Sequence, residues 1–242
     1  MNVIGIEQDV KKIKRLLGIG ILGACVILMG DLLMGWGVKD ESLTGIAASL
    51  SPYLAVSDTR MVLASIFGIL GVPLAVVGHF GIYKLLKPRG GNYASGYAIG
   101  MAGFLLFGGA GVHGSSVEGA FFYKSLVSAG VGDVLDLTVK YALYFLLPLY
   151  AILIASWIVM VYCHIRILLK GRTPFPKWGI LFSMLVGTIL VCPVGLLGNQ
   201  EVVNALMMGA FSFGNIWTLG GHLWILNRAE KNRTYQSRLP IR

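Results

Sequence analysis

Five polar side chains interrupt apolar stretches of this sequence and are the first candidates for chemistry: Asp31, His79, His113, Asn215 and His222. An ionisable group in hydrocarbon costs about 2.5 to 3.5 kcal/mol on insertion scales, so such groups normally face a bundle interior or a wet cavity. A carboxyl and an imidazole in an apolar pocket suffice to protonate an alkene or a polar head and to take the proton back. Asp31 is the candidate acid, and His113 or Glu118 its candidate partner. Glu118 follows His113 by five residues, about 140° around a continuous helix, so the two share a site only if Gly114-Ser115-Ser116 breaks that helix. The plainer reading of Asp31 is a buried carboxyl, neutral or paired with a histidine.

A second pattern lies near the C-terminal end. Asn204, Met208, Phe211, Asn215, Thr218 and His222 recur at spacings of three and four, one polar and polarisable stripe of a helix that should face the interior. We read His79, Met208, Phe211, Asn215, Trp217 and His222 as substrate-binding or orienting groups; interhelical hydrogen bonding is the structural alternative. Glycine directly precedes Asp31, His79, Asn215 and His222, leaving room beside each for a ligand, water or a neighbouring backbone. Along the membrane normal the groups are spread, with His79 and His222 on the cytoplasmic side, Asn215 central, and Asp31 and His113 outward. That spread suits either a proton relay or an elongated cavity. No HxxxH or HExxH spacing supports zinc binding by His79, His113 and His222, and no metal or cofactor is expected.

The elements that must position these groups follow from composition. Only 13% of the 242 residues are charged, 56% are hydrophobic and 33 are glycine, with a mean hydropathy of +0.75. A soluble disordered chain, a disulfide scaffold and a nucleic-acid-binding domain are thereby excluded. The expected fold is all-α, a polytopic membrane bundle of six transmembrane helices: Leu16 to Val38, Met61 to Tyr83, Tyr97 to about Ser115, Tyr141 to Val161, Trp178 to Leu197 and Val202 to Leu226. Of the 20 Lys and Arg, only Lys39, Arg60, Lys124 and Lys140 fall on one side of those spans. The positive-inside rule then sets the N and C termini in the cytoplasm and explains the net charge of +9. Residues 1–15 read as an amphipathic helix on the inner leaflet, 16–226 as the membrane domain and 227–242 as a basic cytoplasmic tail. The segment 39–60 reads as a loop or short re-entrant cap, and 114–137 as irregular. Small-xxx-small pairs at Gly96/Gly100, Ala98/Ala102 and Ala64/Gly68 should bring helices close, and Pro73, Pro148 and Pro193 should bend them.

Several segments carry a family resemblance: Gly30-Asp31-Leu32-Leu33, Gly81-Ile82-Tyr83-Lys84 through Lys87-Pro88, Gly108-Gly109-Ala110-Gly111-Val112-His113, Gly171-Arg172-Thr173-Pro174-Phe175-Pro176-Lys177-Trp178, and Gly214-Asn215. Together they resemble an uncharacterised family of small bacterial and archaeal six-helix integral membrane proteins. The resemblance implies six helices and a bacterial or archaeal origin, and no reaction. Three functions therefore compete for a protein of the inner (plasma) membrane. The first is an acid-base enzyme of isomerase or cyclase type acting on an apolar terpenoid, sterol-like or lipid substrate. The second is a small-molecule or proton-coupled transporter, and the third a structural or immunity-type membrane protein. Membrane lipids and an apolar small-molecule ligand are the expected partners, and nucleic acid is not. A closed pocket opening sideways favours the enzyme, a wet path between both faces favours transport, and a dry filled core favours the third.

Overall fold

The computed structural model describes residues 3–236 apart from 172 and 174, with side chains at 3–8, 89 and 232–236 left aside. The end of the basic tail, 237–242, and Arg172 and Pro174 of the turn lie outside the described residues. Helix α1 runs unbroken from Val3–Gly35, so the stretch read as a separate amphipathic helix continues into the first span, with Ile13 and Leu17 already buried. A short cap follows, α2 (Gly45–Leu50) and a 3-10 turn over Ser51–Ala55, in the segment expected to be a loop or cap. Helix α3 spans Asp58–Gly90, opened by the Ser57 hydroxyl accepting from the Arg60 N–H, and it carries Pro73 inside.

Helix α4 (Asn92–Phe107) passes through a π-helical turn, Gly108–Gly114, into α5 (Ser115–Ser128). Sequence reading expected irregular chain from residue 114; the helix instead continues to Ser128, because the glycine-rich stretch widens into a π turn without breaking. Helix α6 (Val134–Tyr141) joins α7 (Leu147–Leu169) through a second π turn, Ala142–Leu146, which directly precedes Pro148 inside one continuous helical stretch. The fifth expected span is divided into a 3-10 turn Lys177–Phe182, α8 (Met184–Ile189) and a 3-10 turn Cys192–Leu197 that begins next to Pro193. Helices α9 (Glu201–Met208) and α10 (Ala210–Gln236) meet at Gly209 with a bend of 58°.

The fold is all-α, with no strand among the described residues. Among the described residues four helical stretches are long and apolar enough to cross a membrane, Asp9–Gly35, Asp58–Pro88, Asn92–Ser128 and Val134–Leu169, and the bent α9–α10 pair makes up to five.

Missing side chains set the helix spacing. A Cβ on Gly20 of α1 would lie 2.4 Å from the Gly78 Cα of α3, and one on Gly100 of α4 would lie 2.6 Å from the Ser156 carbonyl of α7. Such approach is the usual basis of helix association where lipid removes the hydrophobic drive. On α4 the contact runs through Gly96, Gly100 and Gly103; the expected Ala98/Ala102 pair is off it, with Ala102 exposed.

The basic residues gather at the end where α1 begins, α3 ends and α7 and α10 end. There Lys170 lies 4.3 Å over the Tyr93 ring, Arg228 lies over Trp224, and Lys14 pairs with Glu230. At the opposite end Arg60 donates to the Leu33 and Trp36 carbonyls, satisfying the C-terminal end of α1. Two apolar cores result: a large one, including Leu17, Leu86, Met160 and Leu219, and a small one around Met34, Met61, Ala64 and Val117.

Candidate functional site

A cavity of about 420 Å³ lies between the two cores. Ile27, Val72 and Phe104 of the large core and Met34 and Val117 of the small one line it, and α7 adds Tyr150, Leu153, Ile154 and Trp157. The volume falls in the range of small-molecule sites, about 300 to 1,000 Å³. Among its walls stand Asp31 of α1, His113 of the first π turn, and Met208, Phe211, Ser212 and Asn215 from α9 and α10.

The polar end of the cavity is built around one carboxyl. Ser212 Oγ donates to Asp31 Oδ2 at 2.6 Å, and His113 Nδ1 stands 3.4 Å from Asp31 Oδ1. The other ring nitrogen, Nε2, is 2.9 Å from the Ala64 carbonyl. A carbonyl only accepts, so Nε2 carries hydrogen and Nδ1 is the nitrogen that faces the carboxyl. The two groups are thus placed to share one proton: either a carboxylic acid faces a bare Nδ1, or a carboxylate faces an imidazolium. Each side chain is 13% exposed, into the cavity they line.

Two glycines admit the imidazole. A Cβ on Gly68 would lie 2.0 Å from His113 Cδ2, and one on Gly30 would lie 3.2 Å from His113 Nε2. The π turn sets the ring at this height, adding backbone within a turn at the residues Gly108-Gly109-Ala110-Gly111-Val112-His113-Gly114.

Toward the basic end the interior is filled with a second polar group. His79 Nε2 lies 2.7 Å from Asn215 Oδ1, and its Nδ1 lies 2.8 Å from the Tyr97 hydroxyl. Asn215 Nδ2 donates to the Phe211 carbonyl, so Oδ1 is the acceptor for His79, and Tyr97 donates to Nδ1. Further in, His222 Nδ1 donates to the Thr218 carbonyl at 2.7 Å, which leaves His222 Nε2 to accept from His164 Nε2 at 3.1 Å. The His222 ring also meets Phe175 edge-on, with centroids 4.4 Å apart. Among these residues His79, Tyr97, His164 and His222 are all at most 2% exposed.

A family model described as a family of unknown function, DUF6796, matches residues 1–229. The chain belongs to the DUF6796 family. No curated protein and no solved structure matches it. Membership in DUF6796 carries no reaction, so the chemistry of the site stands on its geometry.

That geometry divides the expected site residues of the DUF6796 chain. Asp31, His113, Met208, Phe211 and Asn215 share the cavity, and His79 supports it from behind Asn215. Glu118 does not join them: no break occurs at residues 114–116, and its carboxylate lies 3.4 Å from the Tyr141 hydroxyl, exposed. Trp217 points elsewhere, donating Nε1–H to the Leu181 carbonyl and lining a separate apolar groove with Phe182 and Trp224. His222 lies in the filled interior. The stripe that contained it is divided by the bend at Gly209, and Asn204 turns to the Gly37 carbonyl.

The glycines beside the polar residues are filled by neighbouring groups. Gly30 faces Ala64 and His113, Gly78 faces Gly20, Gly214 faces Met184 and Thr188, and Gly221 faces the Phe182 ring. Three groups escaped sequence reading. His164 lies past Val161, the expected end of the fourth span, whereas α7 runs to Leu169. Tyr97 was read only as the start of a span, and Ser212 lies off the three-and-four stripe by one residue. Among the described residues no group of three His, Cys, Asp or Glu could hold a metal ion.

Proposed function

We propose that this chain is an integral membrane protein whose cavity binds an apolar small molecule and moves protons on it, with Asp31 and His113 as the exchanging pair. The observation that carries the proposal is that pair: a carboxyl and an imidazole 3.4 Å apart, both bordering a cavity with apolar walls. Ser212 holds one carboxyl oxygen and the Ala64 carbonyl holds the far side of the imidazole, so both groups are oriented before a ligand arrives. Preorganised donors and acceptors of this kind are what general acid-base catalysis requires. Isomerisation or cyclisation of a terpenoid, sterol-like or lipid molecule is the reaction class that needs no more than this. Six spans, cytoplasmic termini and the plasma membrane of a bacterium or archaeon complete the reading; the basic end of the bundle supports the orientation alone.

Filling of the interior toward the basic end argues against a wet path between the two faces. A second reading draws on one observation: the hydrogen bonds from Asn215 through His79 to Tyr97, with His164 and His222 beyond, start at the cavity. That run suits proton-coupled transport. Between Tyr97 and His164 it has only a ring contact, centroids 5.8 Å apart, and it ends on the Thr218 carbonyl of its own helix, so the enzyme reading takes precedence.

The test is to purify the protein, extract what accompanies it and identify it by mass spectrometry, then repeat with Asp31→Asn and His113→Ala. A distinct apolar molecule in the wild type, diminished in both variants, supports the proposal. The same ordinary phospholipid in all three preparations contradicts it.

A further inference from the structure

A groove of about 590 Å³ runs between α10 and the broken segment that faces it, apart from the cavity of Asp31 and His113. On α10 it is lined by Phe213, Trp217, Gly220 and Trp224, one face of the helix, and on the other side by Phe182 and Leu190. None of the lining residues is charged, and Trp217, Trp224 and Leu190 are exposed. Opposite this face α8 has only six residues, flanked by 3-10 turns, so no continuous helix packs along it. From Phe213 to Trp224 the helix rises about 16 Å, close to one leaflet of a hydrocarbon core of about 30 Å.

A cation heads the groove. Arg228, one turn beyond Trp224, is exposed and holds its guanidinium over the Trp224 ring, with Cζ 5.4 Å from the centroid. Among the described residues no carboxylate pairs with it. Trp178 meets Trp224 edge-on at 5.9 Å, and indoles of this kind sit at headgroup depth. An apolar channel one leaflet long, then tryptophans, then an unpaired guanidinium follows the order of a phospholipid: acyl chain, interface, phosphate.

We infer that this groove holds one anionic phospholipid, with an acyl chain along α10 and the phosphate on Arg228. A guanidinium presents paired N–H groups that match phosphate oxygens. The gathering of basic residues at this end favours a headgroup with net negative charge. The groove shares no lining residue with the cavity. A phospholipid held in it therefore accompanies the protein besides any molecule in the cavity, and only the latter should follow Asp31→Asn and His113→Ala. A preparation that carries the phospholipid alone counts against the cavity as a ligand site and not against the groove.

Gly220 allows the groove to be filled without disturbing the fold. A Cβ there meets nothing within 4 Å, whereas one on Gly221 would lie 2.1 Å from the Phe182 ring. Gly220→Leu occupies the open space, and replacing a glycine inside a helix leaves α10 at least as stable.

For the test, the full chain is delipidated in detergent and titrated separately with phosphatidylglycerol and with phosphatidylcholine of the same acyl chains. Native mass spectrometry counts the bound lipids and reads the oligomeric state. The wild type should hold one phosphatidylglycerol about fivefold more tightly than phosphatidylcholine. Gly220→Leu should lose that one lipid while melting no lower than the wild type in lipid-free detergent, and Arg228→Gln should bind the two lipids equally. Equal binding of both lipids by the wild type overturns the inference, as does a tight phosphatidylglycerol that survives Gly220→Leu. Arg228→Gln alters an exposed side chain and decides the point even if Gly220→Leu does not fold: a preference that persists in it overturns the assignment. A lipid-free dimer that Gly220→Leu converts to monomer gives the groove to a second copy of the chain and overturns it as well.

Discussion

His113 and Gly68 are in direct steric dependence: the imidazole occupies the space a side chain on Gly68 would need, with 2.0 Å left between a Cβ there and the ring Cδ2. The ring cannot retreat without losing the Ala64 carbonyl and leaving Asp31. Gly68→Ala should therefore destabilise the protein by about 1 to 3 kcal/mol, the usual cost of overfilling a well-packed site. It should also displace His113 from Asp31. Thermal melting of the purified protein together with the yield of co-purified ligand checks this; a variant unchanged in both would show that the ring is not confined as described.

Ser212 and Asp31 should behave as one unit. Removing the hydroxyl leaves a carboxyl oxygen without its donor, at a cost of about 1 to 3 kcal/mol. In a double-mutant cycle Ser212→Ala and Asp31→Asn should couple by about 0.5 to 3 kcal/mol. Additive effects on denaturant unfolding would mean that the 2.6 Å contact contributes nothing.

The Tyr97 hydroxyl serves the fold and not the cavity. Tyr97→Phe strands His79 Nδ1 in the interior and should cost about 1 to 3 kcal/mol while ligand yield stays at the wild-type level. A loss of ligand as large as that of Asp31→Asn would extend the site to His79.

Some of this site could be read in the residues alone, for a physical reason. Asp31, His113 and Asn215 were legible because a carboxyl, an imidazole and an amide within apolar runs are costly unless they meet something, and here they border one cavity. Glu118 was not, because whether it joined His113 depended on the local backbone path. The π turn and the helix that follows carry it to Tyr141. The bend at Gly209 likewise separates Asn204 from the residues that continued its stripe. The first four spans were visible as long apolar helices, though hydropathy placed the ends of the second, third and fourth too early, which hid His164. Over Trp178 to Leu197 hydropathy reports only apolarity; the chain there breaks at Ser183, where α8 is capped, and again near Pro193.

Orientation can be checked by labelling. In a chain whose Cys25, Cys163 and Cys192 are replaced by serine, Ser42→Cys should react with a membrane-impermeant maleimide on intact cells, and Lys177→Cys only after lysis. The positive-inside bias requires this order. Labelling of Lys177→Cys on intact cells would invert the topology.

Proton exchange at carbon is the central claim, and deuterium reports it. The purified protein is incubated in D₂O with its co-purified ligand, and the recovered molecule is analysed by mass spectrometry for deuterium bound to carbon. Incorporation by the wild type above the protein-free rate, abolished in Asp31→Asn and in His113→Ala, is the predicted result. Recovery of bound ligand with no deuterium at carbon beyond the protein-free control would contradict the assignment of Asp31 and His113 as a working acid-base pair.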